Sequence, residues 1–164
     1  HAAPTAEAAG AAVRSVTGPL IAGNGWAISE ADAAAMFRDS VQACRVTPDI
    51  PVEIAWSLVA DFETRRLHSP EVIGRGNCKA AFVPHSAPEA GRVILHSHPQ
   101  GPCVPSDGDI IFAQPLAAIG CGFGICDPGI ERVLLICEPR PVAAPSGKRR
   151  SWSWGRWMLH HFSV

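Results

Sequence analysis

The feature that most constrains this chain is the segment His96-Ser97-His98-Pro99, with Ser106 and Asp109 at fixed distances after it. The apolar residues before His96 predict a strand, and residues i and i+2 of a strand point to the same side of a sheet. Ser106 is a residue type that caps helices, so the sequence predicts a helix that carries Asp109 in its first turn. The chain therefore has to fold back from strand to helix and bring a carboxylate to two imidazoles.

Two histidines and one carboxylate, with water in a fourth position, form a ligand set that suits catalytic zinc. The same ligands can hold iron in an open facial triad, so the residues alone leave both metals open. A His-x-His pair without further polar neighbours is often a surface strand that binds no metal. The added Ser106 and Asp109 favour the metal site.

A metal-activated water also needs a base that accepts its proton. Glu53 is the best candidate, because it begins a hydrophobic strand at a position where a charge has no packing role. The alternative is a solvated residue at a strand start. Glu63 and Glu71 lie in more polar surroundings and are predicted to be ordinary surface acids. We predict that Ser106 donates a hydrogen bond to a developing oxyanion, since no catalytic triad order is apparent.

Together these residues resemble the JAMM (MPN+) family of zinc metallopeptidases, whose motif is an upstream Glu, then His-x-His-Pro, then Ser-x-x-Asp. The resemblance covers the chain from about Ser29 to Glu138. It implies an α/β (α+β) fold, a twisted mixed β-sheet flanked by helices with a cytidine-deaminase-like architecture. It also implies the site roles: Glu53 as base, His96, His98 and Asp109 as Zn²⁺ ligands, and Ser106 as oxyanion donor.

The function implied by the resemblance is hydrolysis of the peptide or isopeptide bond after the C-terminus of ubiquitin or a ubiquitin-like protein. The chain is similar to the compact bacterial members found in ubiquitin-like conjugation operons linked to phage defence. The implied partners are a ubiquitin-like protein or its conjugates, and E1- or E2-like proteins of such an operon. Two alternatives stay open: a module that binds a ubiquitin-like tail without cleaving it, and an exported metallopeptidase effector.

Two residues depart from the family pattern and are candidates for substrate binding. Small residues often follow the catalytic Glu, whereas Ile54, Ala55 and Trp56 follow Glu53 here, so Trp56 is predicted to alter the substrate groove. Cys103 lies in the loop before the predicted helix. It is a candidate for substrate contact or for an inhibitory extra metal ligand, because a thiolate binds zinc well. The alternative for Cys103 is a loop residue without a special role.

Composition excludes some function classes. The 164 residues carry a formal net charge of −1, which gives no global electrostatic reason to bind nucleic acid or an anionic membrane. No apolar run is long enough to span a bilayer, and no secretory signal is visible, so we expect a cytoplasmic protein. An even number of cysteines, six here, is compatible with disulfides in an exported protein. Most of these cysteines have apolar neighbours in the sequence, which favours free, buried thiols.

The predicted organisation is an N-terminal segment, residues 1–28, partly disordered, and a single metallopeptidase domain, residues 29–164, with a tryptophan-rich end. In that end Lys148, Arg149 and Arg150 precede Trp152, Trp154 and Trp157, which suits single-stranded nucleic acid or docking on the core, and docking is favoured. The predicted helices span Ser29–Ala43 and Ser106–Ala113. The predicted strands span Glu53–Phe62, Lys79–Val83, Arg92–His96, Ala118–Cys126 and Arg132–Glu138, with a turn and a short extended piece at His68–Asn77.

Overall fold

A computed structural model of the chain describes residues 17–46, 52–77, 88–98 and 103–142. The strands in these ranges are β1 Leu20–Gly23, β2 Trp26–Ile28, β3 Val52–Asp61, β4 Arg66–Asn77, β5 Arg92–Ser97, β6 Gly122–Cys126 and β7 Val133–Cys137. The helices are α1 Glu30–Val46 and α2 Asp107–Ile119. This mixed α+β architecture confirms the predicted class. The predicted strand Lys79–Val83 and the tryptophan-rich end lie outside the described residues.

All seven strands belong to one mixed sheet in the order β1-β2-β4-β3-β5-β6-β7. The pairs β2–β4 and β5–β6 are parallel, and the other neighbours are antiparallel. A parallel pair needs a crossover connection, and α2 supplies it between β5 and β6. This crossover brings the first turn of α2 to the end of β5.

Both faces of the sheet are buried, and β3 contributes alternate side chains to each. Ile54, Trp56 and Leu58 join a cluster with Met36 of α1, on what we call the α1 face. Ala55 joins a second cluster with side chains of α2, on the α2 face. A strand covered on both sides needs apolar residues at successive positions, which explains the hydrophobic run that follows Glu53.

Helix α1 begins where the sequence predicted. The Ser29 hydroxyl accepts a hydrogen bond from the Asp32 backbone N–H at 3.1 Å, which satisfies one unpaired donor of the first turn. Ala33 and Met36 are fully buried, so the apolar side of the helix packs on the sheet. The helix ends at Val46, three residues beyond the predicted end.

Helix α2 is longer than the sequence predicted, because it continues through Pro115 to Ile119. Proline removes one N–H from the helix, but Leu116 is fully buried against the sheet and this packing outweighs the loss. Gly120 ends the helix with a φ of 81°, and its N–H points back to carbonyls of the last turn. The predicted strand start at Ala118 is therefore wrong, and β6 begins at Gly122.

Two parts of the sheet were not predicted as strands. In the N-terminal segment, β1 and β2 form a hairpin around Asn24 and Gly25, both with positive φ. The stretch predicted as a turn and a short extended piece is part of the twelve-residue strand β4. Two irregularities in its pairing with β3 interrupt the regular alternation of side chains, so no period of two is visible in the sequence.

The turn between β3 and β4 is held by the Asp61 carboxylate. It accepts hydrogen bonds from the Thr64 hydroxyl at 2.7 Å and from the backbone N–H groups of Thr64 and Glu63. The Thr64 hydroxyl is the main reason that the pKa of Asp61 lies below its usual value.

We expect Thr64→Val to reduce stability at neutral pH, and Thr64→Ser to preserve it. A lowered pKa contributes stability above the unfolded-state pKa of Asp, and this contribution is lost as the pH falls through the folded-state value. The difference in unfolding free energy between the valine and serine variants should therefore shrink as the pH falls below about 4. Urea unfolding at pH 7 and pH 3 measures it, and an equal difference at both pH values would contradict this account.

The described cysteine side chains bear on the disulfide alternative. Cys103, Cys121, Cys126 and Cys137 are free thiols; Cys121 and Cys126 are buried as predicted, whereas Cys103 and Cys137 are only half-buried. The Cys44 side chain and Cys78 lie outside what the structure describes. Within the described ranges, neither helix is both long and apolar enough to cross a membrane.

Candidate metal centre

His96 and His98 lie together at the end of β5 on the α2 face. His96 is a buried strand residue opposite Ala55 of β3. His98 continues the ladder one step beyond the strand, since its backbone N–H donates to the Cys126 carbonyl at 2.9 Å. Both side chains therefore point to the same side, as predicted. Their Nε2 atoms lie 3.1 Å apart.

Asp109 reaches the two histidines from the first turn of α2. Ser106 is the N-cap residue of that helix, and its hydroxyl accepts from the Asp109 backbone N–H. In return, the Asp109 carboxylate accepts from the Ser106 backbone N–H and hydroxyl, each at 2.7 Å. This reciprocal capping box fixes the carboxylate at the helix start. The Asp109 oxygens then lie 3.1 Å from His96 Nε2 and 3.2 Å from His98 Nε2.

The donor atoms of His96, His98 and Asp109 can hold a metal ion, and no other group of this kind occurs in the described part of the chain. Zinc bonds to nitrogen and oxygen are about 2.0–2.1 Å long, so ligands at tetrahedral corners lie about 3.3 Å apart. The two Nε2 atoms lie 3.1 Å apart, close to that spacing. His96 Nε2 faces Oδ1 of Asp109 at 3.1 Å and His98 Nε2 faces Oδ2 at 3.2 Å, so the carboxylate lies within reach of an ion held between the two imidazoles.

The charges of the site favour an ionised Asp109. Burial alone would raise the pKa of this carboxyl, but hydrogen bonds from His96, His98 and Ser106 outweigh burial and hold it well below its usual range. The pKa of His98 is raised, because its hydrogen bond to Asp109 outweighs the opposing effect of burial. The site thus concentrates negative charge on a carboxylate that two imidazoles face.

Glu53 lies beside the metal-binding group on the same face of the sheet. The ladder pairs Ala55 with His96, and continuing its register by two residues brings Glu53 opposite His98. Burial raises the pKa of Glu53, while the two histidines lower it and the Asp109 charge raises it further. Glu53 is thus a half-buried carboxyl with a raised pKa, next to three candidate metal ligands. Such surroundings are typical of a general base.

The structure does not bring Trp56 to this group. Trp56 is three positions from Glu53, so the alternation of β3 turns it to the α1 face, where it is fully buried. Its indole N–H donates to the Asp39 carboxylate at 2.9 Å. The proposed contact of Trp56 with a substrate groove is therefore wrong, and counting positions along the strand would have shown it.

Cys103 also lies away from the metal-binding group. Its thiol contacts the Ile125 carbonyl at 3.4 Å, and burial raises the pKa of this thiol. A raised pKa disfavours the thiolate that would bind zinc. The structure thus gives no support to Cys103 as an extra ligand.

Two phenylalanines that no sequence pattern predicts form an aromatic support of the site. The Phe123 ring of β6 stacks on His96 with centroids 5.2 Å apart, and Phe112 of α2 packs edge-on against Phe123 at 5.0 Å. These contacts tie the ligand-bearing strand to the ligand-bearing helix. No short motif marks them, because the two phenylalanines come together only through the β5–α2–β6 crossover.

Ser97, between the two histidines, is a further supporting residue that no sequence pattern predicts. It points to the opposite face, is 3% exposed, and its hydroxyl accepts a hydrogen bond from the Ile54 backbone N–H at 3.0 Å. Ile54 follows Glu53 directly, so this bond fixes the position of the Glu53 strand relative to the histidines.

We expect Ser97→Ala to lower the free energy of unfolding by about 1–3 kcal/mol, because it leaves the buried Ile54 N–H without its acceptor. Ser40→Ala is a matched control, since Ser40 is buried and its hydroxyl has no hydrogen-bond partner among the described residues. Urea unfolding compares the two variants. Equal losses in both would show that the Ser97 hydrogen bond contributes nothing specific.

The site as a whole is a buried His-His-Asp group with a half-buried glutamate beside it, built where β5, β3 and α2 meet. Comparison of the chain with protein-family models, with curated proteins and with solved structures finds no match.

Proposed function

We propose that this chain is a JAMM-type zinc metallopeptidase that hydrolyses the bond after the C-terminus of a ubiquitin-like protein. The observation that supports this most is the convergence of His96, His98 and Asp109 within 3.2 Å of one another, with Glu53 beside them. Metal-dependent hydrolysis needs both parts, ligands and a base. The biological setting we propose is a bacterial ubiquitin-like conjugation system linked to phage defence.

In this proposal His96, His98 and Asp109 hold the zinc ion. Zinc in such a site lowers the pKa of water and polarises the scissile carbonyl. The protein keeps the two imidazoles aligned through the β5 ladder and the Phe123 stack. The capping box holds the Asp109 carboxylate directed at them, and the hydrogen bonds from the two imidazoles, with those from Ser106, keep it ionised.

Glu53 is the proposed general base. It accepts a proton from the attacking water and passes it to the leaving amine nitrogen, so that an amine leaves in neutral form. A carboxyl at its ordinary pKa is a weak base at neutral pH, and the burial that raises the pKa of Glu53 makes it a stronger one. Its place opposite His98 puts the base on the side of the sheet where the ligands converge.

Ser106 is the proposed donor to the oxyanion of the tetrahedral intermediate. In the structure its hydroxyl donates a hydrogen bond to the Asp109 carboxylate, with 2.7 Å between Ser106 Oγ and Asp109 Oδ2. The proposed role requires this hydrogen to turn towards the substrate oxygen by rotation about the Cβ–Oγ bond. The hydroxyl lies at an exposed helix start, which leaves room for that rotation.

Exposed apolar residues next to the site support a protein substrate. Ile110 and Ile111 follow Asp109 directly and are 44% and 47% exposed. Adjacent exposed apolar side chains are a feature of surfaces that contact proteins. They have no evident use in the hydrolysis of a small polar molecule.

The proposed activity is tested with the zinc-loaded protein and a panel of ubiquitin-like proteins that carry a C-terminal extension or an isopeptide-linked lysine. Intact-mass analysis should show release of the mature C-terminus, and a chelator should stop it. Metal analysis of the purified protein should find about one zinc per chain. Bound conjugate without cleavage would instead indicate a non-cleaving binding module, and iron in place of zinc would overturn the assignment of the metal.

A further inference from the structure

A groove of about 510 Å³ lies between the two edge strands of the sheet, away from the metal-binding group. The sheet curves so that β1 contacts β7, although they are at opposite ends of the strand order. The groove exposes apolar side chains, with Ile21 64% and Leu134 40% exposed. Its lining residues are Pro19, Leu20, Ile21, Cys103, Glu131, Arg132, Val133 and Leu134.

Charge is distributed unevenly along the chain. After Glu138 there are five basic residues and no acidic one, whereas the residues up to Glu138 hold nine basic and all fifteen acidic ones. The body of the protein is therefore acidic and its C-terminal segment, residues 143–164, is basic. Opposite charges on two parts of one chain favour their contact. Glu131 and Arg132 both line the groove, so the attraction comes from the acidic body as a whole and not from a net charge of the groove lining.

The same segment supplies apolar groups that suit the groove. Trp152, Trp154 and Trp157 are followed by Met158 and Leu159. A buried tryptophan removes a large apolar area from water and stabilises a contact by about 1.5–3 kcal/mol or more. Ile21 and Leu134 offer the matching apolar surface.

The length of the chain permits the contact. Leu134 and Val142 are eight residues apart, so their Cα atoms lie within about 29 Å of each other. Trp152 is ten residues beyond Val142 and reaches up to about 33–36 Å from it. The ten residues after Val142 are therefore long enough to bring Trp152 back to Leu134 in the groove.

We propose that the tryptophan-rich segment 143–164 docks in the groove between β1 and β7 of its own chain. Cys103 lines this groove, and Ser106 lies three residues further along the same loop, at the start of α2. An occupied groove thus holds the loop that leads to the Asp109 ligand. The proposal does not depend on the proposed hydrolysis, because none of His96, His98 and Asp109 lines the groove.

The test uses acrylamide quenching of tryptophan fluorescence in the full chain. Trp26 and Trp56 are fully buried, so quenching reports mainly on the other three of the five tryptophans. With the segment docked, these three are protected in the unaltered protein. We expect Ile21→Lys and Leu134→Lys each to raise the quenching constant about twofold or more. Each lysine removes apolar surface from the groove and adds a positive charge that repels the basic C-terminal segment.

Ile110→Lys is the matched control, since Ile110 is exposed to a similar degree on α2 and does not line the groove. It should leave the quenching constant unchanged. Circular dichroism checks that each variant is folded, and Ile21 is exposed enough for its substitution to be tolerated.

Several results would overturn the proposal. A quenching constant in the unaltered protein as high as in the Ile21→Lys and Leu134→Lys variants would show that the groove does not protect the segment. Protection that increases with protein concentration would assign the groove to a second copy. Protection that appears only after a single-stranded oligonucleotide is added would assign the segment to nucleic acid. A larger effect of Ile110→Lys than of Leu134→Lys would place the segment on α2.

Discussion

Replacing His96 with alanine should abolish tight zinc binding by the protein. Apparent binding free energies of structural zinc are about 10–16 kcal/mol, which is about 2.5–4 kcal/mol for each of four ligands, so loss of one protein ligand should weaken binding about a hundredfold to a thousandfold. Isothermal titration of the metal-free protein measures the affinity directly. Thermal unfolding gives a second measure, because zinc that binds only the folded state raises the midpoint of the unaltered protein and not that of the variant.

His68→Ala is the matched control, since His68 lies on β4 and its ring bonds Ser69 rather than the ligand group. Zinc affinity in this variant should equal that of the unaltered protein. If His68→Ala and His96→Ala lose affinity alike, the metal does not bind where β5 and α2 meet. Asp109→Asn should behave as His96→Ala does, because an amide replaces the only carboxylate among the three ligands.

The pH dependence of the proposed zinc binding follows from the raised pKa of His98. Zinc binds the neutral imidazole, so a proton on His98 competes with the metal. The hydrogen bond to Asp109 raises this pKa above its usual value of about 6.5. Competition should therefore begin at a higher pH than for an ordinary histidine, and affinity should fall as the pH decreases through that range.

Much of the metal-binding group could be predicted from local sequence. His96 and His98 alternate along a strand, and Ser106 with Asp109 form a capping pattern that needs only the first turn of a helix. Each half depends on interactions within a few residues. Spacing alone therefore indicated the three side chains that the structure brings within 3.2 Å.

The parts that could not be predicted depend on contacts between distant segments. Ser97 supports the Glu53 strand through a bond to a residue forty-three positions away, and Phe123 meets His96 only after the crossover through α2 is complete. The length of α2 depends on whether the burial of Leu116 stabilises the helix by more than Pro115 destabilises it. Helix propensity alone does not decide this. The face of Trp56 is predictable from sequence. Trp56 lies an odd number of positions after Glu53, so the alternation of β3 directs the two side chains to opposite faces of the sheet.

Glu53→Gln should abolish hydrolysis and leave zinc bound. Glutamine has the shape of glutamate but does not accept a proton at neutral pH, and loss of a general base lowers the rate constant by about 10²–10⁴-fold. Glu53 is not one of the three ligand residues, so zinc affinity should change only slightly. The measurements are kcat with a cleavable ubiquitin-like conjugate and zinc titration of the same preparation.

The separation of the two readouts distinguishes a base from a residue that merely supports the fold. A structural role would reduce zinc affinity and thermal stability together with the rate, whereas a base affects the rate alone. Glu71→Gln is the control: Glu71 lies on the adjacent strand β4, is largely exposed and pairs with Arg92 at 3.8 Å. Full activity in Glu53→Gln would exclude Glu53 as the base, and its raised pKa would then reflect burial without a catalytic role.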